Sequence, residues 1–308
     1  MNDYILMIAG SDIDTFYDVE AFPGAGDVGM AVPRGQKVGG CVLNAAVVAR
    51  SYGSKVKVLD YLKSDDPSTE LFISTLNGYG VDTSEIRYGK DVVNGSCLIL
   101  TNGDEKCIYV IEPVHPYYEV DEGLQKLLNG AGYIYTLMHT AKLSFADVEC
   151  LREARRNGVR IIFDGASQYN EQYEIDMILE LASGVFMNRT CFERLESKPN
   201  VDVMATMFEN GCQFICITDG SRGADLYVPG AHYHHDSYKI NVVDSTGAGD
   251  TFAGCFLAML MKGYPYDKCL KMASAAGAYA CLGEGGMSGA YNEEGLNEFI
   301  KKAESLLN

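Results

Sequence analysis

Short apolar runs alternate with amphipathic stretches along most of the chain. The apolar runs are rich in Val, Ile, Tyr and Phe, which is typical of buried β-strands. They occupy residues 4–9, 56–61, 133–137, 160–164, 184–187 and 214–218. Between them, apolar residues recur at helical spacing in residues 43–52, 67–78, 145–157 and 171–183. This alternation predicts an α/β fold, in which a mostly parallel sheet carries helices on both faces.

Two segments interrupt this alternation. Residues 13–38 contain no clear helical pattern and carry Pro23, Pro33 and several glycines. Within residues 94–113, two extended runs are joined by Asn102-Gly103, a strong signal for a tight hairpin turn. We expect both segments to form a small sheet that projects from the main body. A surface hairpin with no gating role is the plainer alternative.

Residues 240–262 carry the most informative pattern in the chain. An apolar strand leads into the turn Gly247-Ala248-Gly249, and a long apolar helix follows it. Because these residues have almost no side chains, their N–H groups can approach an anion, which the helix dipole also favours. Asp250 adds a carboxylate beside that anion site, as phosphoryl transfer to a hydroxyl requires. A helix that Asp250 merely caps is the structural alternative.

Composition narrows the class of protein. The 308 residues are 47% apolar and 22% charged, which is ordinary for a globular chain with a substantial core. The formal net charge of −17 argues against a surface for nucleic acid or an anionic membrane. No apolar run reaches the roughly 18 residues of a membrane span, and the start lacks the basic segment of a signal peptide. The ten cysteines show no disulfide spacing, so we expect a cytoplasmic protein.

Two further groups of polar residues lie where ligands gather in open α/β sheets. Gly39 and Gly40 precede a helix and let the backbone pass close to a ligand, and Asn44 offers a polyol both a donor and an acceptor. Asp12 and Asp14 follow the first strand. Carboxylates make short hydrogen bonds to hydroxyls, and the residue pattern leaves open which acid does so or whether both only cap a turn.

The string D-S-T-G-A-G-D at residues 244–250 closely resembles the D-T-x-G-A-G-D signature of the PfkB (ribokinase-like) carbohydrate kinase family. The string G-G-x-x-x-N-x-A at residues 39–46 resembles the second fingerprint of that family. The resemblance covers nearly the whole chain. It implies a ribokinase-like three-layer α/β/α sandwich, forming one kinase domain over residues 1–308. It also implies that residues 13–38 and 94–113 are lid segments over the sugar site and part of a homodimer contact.

The resemblance assigns roles to individual residues. Asp250 would be the catalytic base, and the amides of Gly247, Ala248 and Gly249 would bind the transferred phosphoryl group. The residues that would bind the sugar are Asp14, Gly39, Gly40 and Asn44. The residues that would bind the nucleotide are Asn188, Thr218, Gly220, Gly223 and Thr246.

Two ion sites are also implied by the resemblance. The N-x-x-E motif of the family, which orders Mg²⁺ through water, matches Asn188, but Cys191 occupies the glutamate position. Either Glu193 substitutes for that glutamate, or phosphates and water hold the metal. A monovalent cation such as K⁺ is implied beside Asp244 and the glycine-rich loop at residues 283–286.

These observations together predict a kinase that uses ATP and Mg²⁺ to phosphorylate a hydroxyl of a small sugar, sugar acid or nucleoside. A dinucleotide-dependent oxidoreductase is disfavoured, because no G-x-G-x-x-G string follows the first strand. A non-catalytic sensor of sugars or nucleotides, built on a kinase scaffold, is the other alternative.

Overall fold

A computed structural model describes residues 3–103, 105–165, 172–197, 202–290 and 292–305. The strands in this part of the chain are β1 (Tyr4–Ile8), β2 (Asp12–Val19), β3 (Ala31–Gly39), β4 (Lys55–Leu59), β5 (Tyr61–Lys63), β6 (Arg87–Gly89), β7 (Gly95–Asn102), β8 (Glu105–Ile111), β9 (Tyr133–Leu137), β10 (Arg160–Asp164), β11 (Gly184–Asn188), β12 (Phe214–Thr218), β13 (Ala224–Val228) and β14 (Ala231–His235). The helices are α1 (Cys41–Ser51), α2 (Pro67–Gly78), α3 (Glu122–Gly130), α4 (Met138–Ser144), α5 (Glu149–Arg156), α6 (Gln172–Leu181), α7 (Arg189–Glu196), α8 (Val203–Glu209), α9 (Ala248–Met261), α10 (Tyr266–Ala280) and α11 (Glu293–Ser305). None of the helices within these ranges combines the length and apolarity needed to cross a membrane.

The main sheet lies between two hydrophobic cores. Its strand order is β14-β13-β12-β11-β10-β9-β1-β4, parallel from β4 to β12 and antiparallel from there to β14. Ile5 and Met7 of β1 belong to a core shared with α1, α9 and α10, whereas Leu6 and Ile8 belong to a second core shared with α3 to α8. Since alternate side chains of a strand point to opposite faces, the protein has three layers. The predicted α/β/α sandwich is confirmed.

A second, smaller sheet has the order β3-β2-β7-β8. Strand β2 pairs antiparallel with β3 and parallel with β7, and β7 and β8 form an antiparallel hairpin. Gly103 has a φ of 59° at the hairpin turn, a conformation that glycine adopts readily. The prediction that the two interrupting segments form a small sheet is therefore confirmed.

Helices α1 and α9 pack closely against each other on one face of the main sheet. A Cβ atom on Gly254 would lie 2.5 Å from the carbonyl oxygen of Ala45, so only glycine permits this approach. Asn44 precedes Ala45, and Asp250 lies one helical turn before Gly254. The helix contact thus brings the two polar side chains together.

The helix predicted over residues 145–157 is present as α5, but it begins only at Glu149. Phe145 is extended, with φ −127° and ψ 136°, directly after α4. Oδ1 of Asp147 accepts a 2.9 Å hydrogen bond from the amide of Glu149, where α5 begins. Residues 145–148 therefore connect α4 to α5 instead of belonging to the predicted helix. For the helix predicted over residues 171–183, residue 171 lies outside the described residues.

Candidate active site

The turn before α9 is built for close backbone approach. Gly247 precedes the helix with a φ of 75°, and a Cβ atom there would lie 2.4 Å from Cα of Gly286. Around Gly249, by contrast, nothing lies within 4 Å of a Cβ position, so this turn opens to a cleft. No side chain among the described residues caps the helix. The amide of Ala248 donates a 3.2 Å hydrogen bond to the carbonyl oxygen of Ser245, whereas the next N–H groups and the positive dipole end of the helix face space that an anion can enter.

Asp250 lies in the first turn of α9, beside this anion site. Its Oδ2 accepts a 2.7 Å hydrogen bond from Nδ2 of Asn44 on α1. Burial raises the pKa of Asp250 to about 6, against the opposing effect of hydrogen bonds from Asn44 and Cys41, while the charge of Asp14 raises it further. A carboxylate with this pKa is ionised at neutral pH and still basic enough to take a proton from a bound hydroxyl.

The other polar atom of the Asn44 side chain, Oδ1, has no hydrogen-bond partner within the described residues. The residue is 5% exposed. Buried polar atoms are rarely left in this state without a ligand or water. Because Nδ2 is held by Asp250, Oδ1 is available to accept a hydrogen bond from a ligand hydroxyl.

Asp14 lies against the glycines that precede α1. A Cβ atom on Gly39 would lie 2.4 Å from Oδ2 of Asp14, and one on Gly40, with a φ of 101°, would lie 2.7 Å from the carbonyl oxygen of Gly10. Burial raises the pKa of Asp14, and a hydrogen bond from Cys97 opposes that shift. The predicted sugar-binding residues therefore lie close to one another and to Asp250.

Two further acids adjoin Asp14. Burial raises the pKa of Asp12 to about 7, and the charges of Asp14 and Asp60 raise it further. Asp60 is 3% exposed, and burial raises its pKa to about 7 although it accepts hydrogen bonds from Ser11 and Tyr61. Three carboxyl groups thus cluster in this part of the site. Such a cluster suits a neutral polyol rich in hydrogen-bond donors better than an anion.

A cavity of 460 Å³ adjoins the anion turn on the other side. Three of the predicted nucleotide-binding residues, Thr218, Gly220 and Gly223, line it together with Ala248 and Gly249 of the turn. Phe252, Ser274, Gly277 and Ala278 line its apolar end. A partly apolar cavity that ends at a helix N-terminus is suited to a nucleotide whose phosphates reach the turn.

The other two predicted nucleotide-binding residues lie outside the lining of that cavity. Thr246 donates from N (3.1 Å) and from Oγ1 (2.7 Å) to Oδ1 of Asp244. Oδ1 of Asn188 accepts a 2.8 Å hydrogen bond from the amide of Cys191 and thereby caps α7. Each of these two side chains therefore makes hydrogen bonds within its own loop.

The predicted metal site has few ligands to offer. Cys191 is 1% exposed, and Glu193 is exposed at the surface. Within the described ranges, no group of three or more His, Cys, Asp and Glu side chains is arranged to hold a metal ion. The residues around Asn188 therefore do not form a protein cage for Mg²⁺.

Some residues of the site escaped the sequence analysis. Asp60 directly follows β4 and Asp164 ends β10, and their position at the carboxyl ends of parallel strands was the available signal. Oδ2 of Asp164 accepts a 2.6 Å hydrogen bond from the hydroxyl of Tyr135. Nζ of Lys106 on β8 lies 2.8 Å from Oδ1 of Asp244, a contact between positions far apart in the chain that no local pattern indicates.

The chain belongs to the pfkB family of carbohydrate kinases, whose family model matches residues 5–292. Membership of this family makes it a phosphotransferase with an alcohol group as acceptor.

Comparison with individual proteins agrees with this. A nucleoside kinase of Methanocaldococcus jannaschii is 24% identical over 291 residues, which cover 91% of each chain. The structure of Arabidopsis thaliana ribokinase complexed with ribose and ATP superposes with a TM-score of 0.84 at 18% identity, over 98% of this chain and 99% of that one. A putative ribokinase II from E. coli in complex with ATP and Mg²⁺ gives a TM-score of 0.80 at 19% identity, over 97% and 99% of the two chains. At these identities the structures show a shared fold.

Proposed function

We propose that this protein uses ATP to phosphorylate a hydroxyl of a small sugar, sugar acid or nucleoside, as one kinase domain over residues 1–308. The observation that carries the proposal is the position of Asp250. Its carboxylate stands beside an open helix N-terminus and bonds to Asn44 at 2.7 Å. A binding site for phosphate alone would gain nothing from that negative charge, whereas deprotonation of an acceptor hydroxyl requires it.

The reaction follows from this geometry. The carboxylate of Asp250 takes the proton of the acceptor hydroxyl as its oxygen attacks the γ-phosphorus in line. The bond from that phosphorus to the bridging oxygen breaks, and ADP leaves with the electron pair. The amides of Gly247, Ala248 and Gly249 stabilise the negative charge of the group in transit.

Asp14, Gly39, Gly40 and Asn44 orient the acceptor in this proposal. The support is that Asp14 lies against Gly39 and that Oδ1 of Asn44 is buried without a hydrogen-bond partner among the described residues. Carboxylate and amide oxygens accept hydrogen bonds from sugar hydroxyls, so they hold the ring while one hydroxyl faces Asp250. Asp12 adds a further acceptor beside them.

The nucleotide occupies the 460 Å³ cavity, with its phosphates at the anion turn. Thr218, Gly220 and Gly223 line that cavity, whereas Asn188 and Thr246 support the loops around it. The solved relatives that contain ATP, one of them with Mg²⁺, support the same choice here. Since Asn188 and Glu193 form no cage, we propose that phosphates and water hold most of the Mg²⁺ shell.

The small sheet, which we call the lid, covers the acceptor end and also joins two copies of the chain. Its strand β8 is exposed along nearly its whole length. The exposed apolar side chains on this sheet and its flank include Val28, Met30, Ile108, Val110 and Val114. Exposed apolar side chains beside an edge strand support a homodimer through the lid.

A screen of about twenty sugars, sugar acids and nucleosides tests the proposal. ADP release is measured with each acceptor in the presence of Mg²⁺ and ATP, with Asp250→Asn as the matched blank. We expect one acceptor class to release ADP well above the blank. If ligands bind, as seen by calorimetry, but none is turned over, the protein is a sensor on a kinase scaffold and the proposal fails.

A further inference from the structure

Lys106 links the lid to the loop that begins the phosphoryl-transfer motif. It lies on β8, just after the hairpin turn, opposite Thr101 of β7. Its Nζ donates to Oδ1 of Asp244 at 2.8 Å and to Oγ1 of Thr246 at 3.1 Å. The Lys106 side chain is 38% exposed and that of Asp244 17%, so the contact is partly shielded from solvent.

Both oxygens of the Asp244 carboxylate accept hydrogen bonds from groups of this chain. Oδ1 accepts hydrogen bonds from N and Oγ1 of Thr246 and from Lys106, and Oδ2 accepts a 3.1 Å hydrogen bond from the amide of Gly285. Burial alone would raise the pKa of Asp244, but these hydrogen bonds hold it well below its usual value. The ammonium of Lys106 therefore already supplies the positive charge that the carboxylate attracts.

A second lid cation approaches the same loop. Nζ of Lys37 on β3 lies 4.0 Å from Oε2 of Glu284, and a Cβ atom on Gly285 would lie 3.3 Å from that nitrogen. Lys37 and Lys106 line one side of a 650 Å³ cavity whose other side includes Asp244 and Glu284. In a chain with a net charge of −17, two lid cations facing two loop carboxylates attract the lid toward the motif.

These contacts do not fit a free K⁺ bound by the Asp244 carboxylate, because an ammonium at hydrogen-bond distance would repel it. We propose that Lys106 is the resident cation of the Asp244 site, taking the place of a free monovalent ion and tying lid closure to the phosphoryl-transfer loop. The effect on turnover rests on the proposed kinase function, whereas the cation-binding part does not.

Thermal unfolding tests the cation part without any substrate. Melting curves are recorded in tetramethylammonium chloride and in KCl at equal ionic strength for wild type, Lys106→Met and Lys90→Met. Lys90 is at an exposed position outside the site, so Lys90→Met is the control. We expect K⁺ to shift the Tm of wild type and of the control by less than about 1 °C. In Lys106→Met, K⁺ fills the released site and raises Tm by about 2 °C or more. A wild type that K⁺ stabilises as strongly as Lys106→Met, or a Lys106→Met that ignores K⁺, overturns the proposal.

Turnover with an acceptor from the screen tests whether Lys106 couples the lid to the phosphoryl-transfer loop. In tetramethylammonium chloride, we expect Lys106→Met to turn over at least about tenfold more slowly than wild type, with Lys90→Met unchanged. KCl should restore most of the loss in Lys106→Met and leave wild type within about twofold. Full activity of Lys106→Met without K⁺, or a loss that no monovalent cation reverses, contradicts the proposal. If wild type phosphorylates no acceptor, the proposed function fails, and the melting experiment still decides the cation site.

Discussion

Nδ2 of Asn44 donates a 2.7 Å hydrogen bond to Oδ2 of Asp250, joining two residues that are 206 positions apart in the chain. Burial raises the pKa of Asp250 to about 6, and the hydrogen bond from Asn44 is the strongest opposing effect. The amide therefore keeps the carboxylate ionised at neutral pH. A residue that the sequence analysis placed on the sugar also tunes the base.

Replacing Asn44 by Ala should move the acidic limb of the pH profile. The proposed reaction needs Asp250 deprotonated, so turnover of wild type should fall as the pH drops through about 6. Loss of the Asn44 donor destabilises the carboxylate, which raises its pKa and shifts the limb upward by about one pH unit. The measurement is kcat/KM against pH. An unmoved limb would mean that Asn44 contacts the acceptor only.

Replacing Asp250 by Asn should lower kcat by at least about 10²-fold. ATP affinity should stay within about threefold, because the anion turn and the nucleotide cavity do not change. Asp267 lies in the first turn of α10 and is exposed, so Asp267→Asn is a matched control for a helix N-terminus. Steady-state kinetics and calorimetry with ATP are the measurements. Near-normal turnover in Asp250→Asn would remove this residue from the chemistry.

Two glycines of the anion turn should respond oppositely to alanine. In Gly247→Ala, a φ of 75° and a Cβ atom 2.4 Å from Cα of Gly286 should destabilise the fold by about 2 kcal/mol or more. In Gly249→Ala, the position is open and helical, so Tm should hold or rise. Its new methyl group projects into the cleft, so KM for ATP should rise. Unchanged ATP kinetics in Gly249→Ala would argue against the amide cradle.

Much of the fold was predictable because its signals are local. The apolar runs predicted β9, β10 and β12 with their observed bounds, and Asn102-Gly103 predicted the hairpin of the small sheet. The helix predicted over residues 145–157 is present as α5, but it begins four residues late, at Glu149, whose amide donates a hydrogen bond to the carboxylate of Asp147. Such a side-chain bond leaves no trace in hydrophobic periodicity.

Site residues that belong to a sequence motif were predictable. Site contacts between segments far apart in the chain were not. The glycine strings located the turn before α9 and the start of α1, and the structure brings Asp250 and Asn44 together. The contact of Lys106 with Asp244 joins residues 138 positions apart and depends on how the small sheet sits. The roles of all these residues remain predictions that the experiments above decide.

The buried position of Cys191 predicts that restoring the family glutamate there will fail. Cys191 is 1% exposed, and a Cβ atom on Gly165 would lie 3.1 Å from its sulfur, so no space exists for a carboxylate. Cys191→Glu should therefore reduce the free energy of unfolding by about 2–4 kcal/mol without tighter Mg²⁺ binding. Glu193→Gln, at an exposed position two residues away, should change Tm by less than about 1 °C. Melting curves and the Mg²⁺ dependence of turnover check both variants.

Asp12 should make stability depend on pH. Its pKa of about 7 in the folded protein exceeds that of the unfolded chain, so the folded state holds the proton to higher pH. The free energy of unfolding thus loses the Asp12 contribution as pH rises from about 4 to 7. Asp12→Asn should raise Tm by about 2–4 °C at pH 8, with a gain that shrinks toward pH 5.

The control for this prediction is Asp91→Asn, at an exposed position. It should shift Tm equally at pH 5 and pH 8. An increase in Tm for Asp12→Asn that is the same at both pH values would show that the Asp12 carboxyl does not have the raised pKa on which this prediction rests.

The glycine contact between α1 and α9 separates two tasks in this molecule. Because Gly254 lies directly against Ala45, the backbones that carry Asp250 and Asn44 are in direct contact in the interior. Substitutions on the peripheral sheet that leave Lys106 in place are therefore expected to alter which alcohol binds, while the spacing of the acid and its amide partner is unchanged.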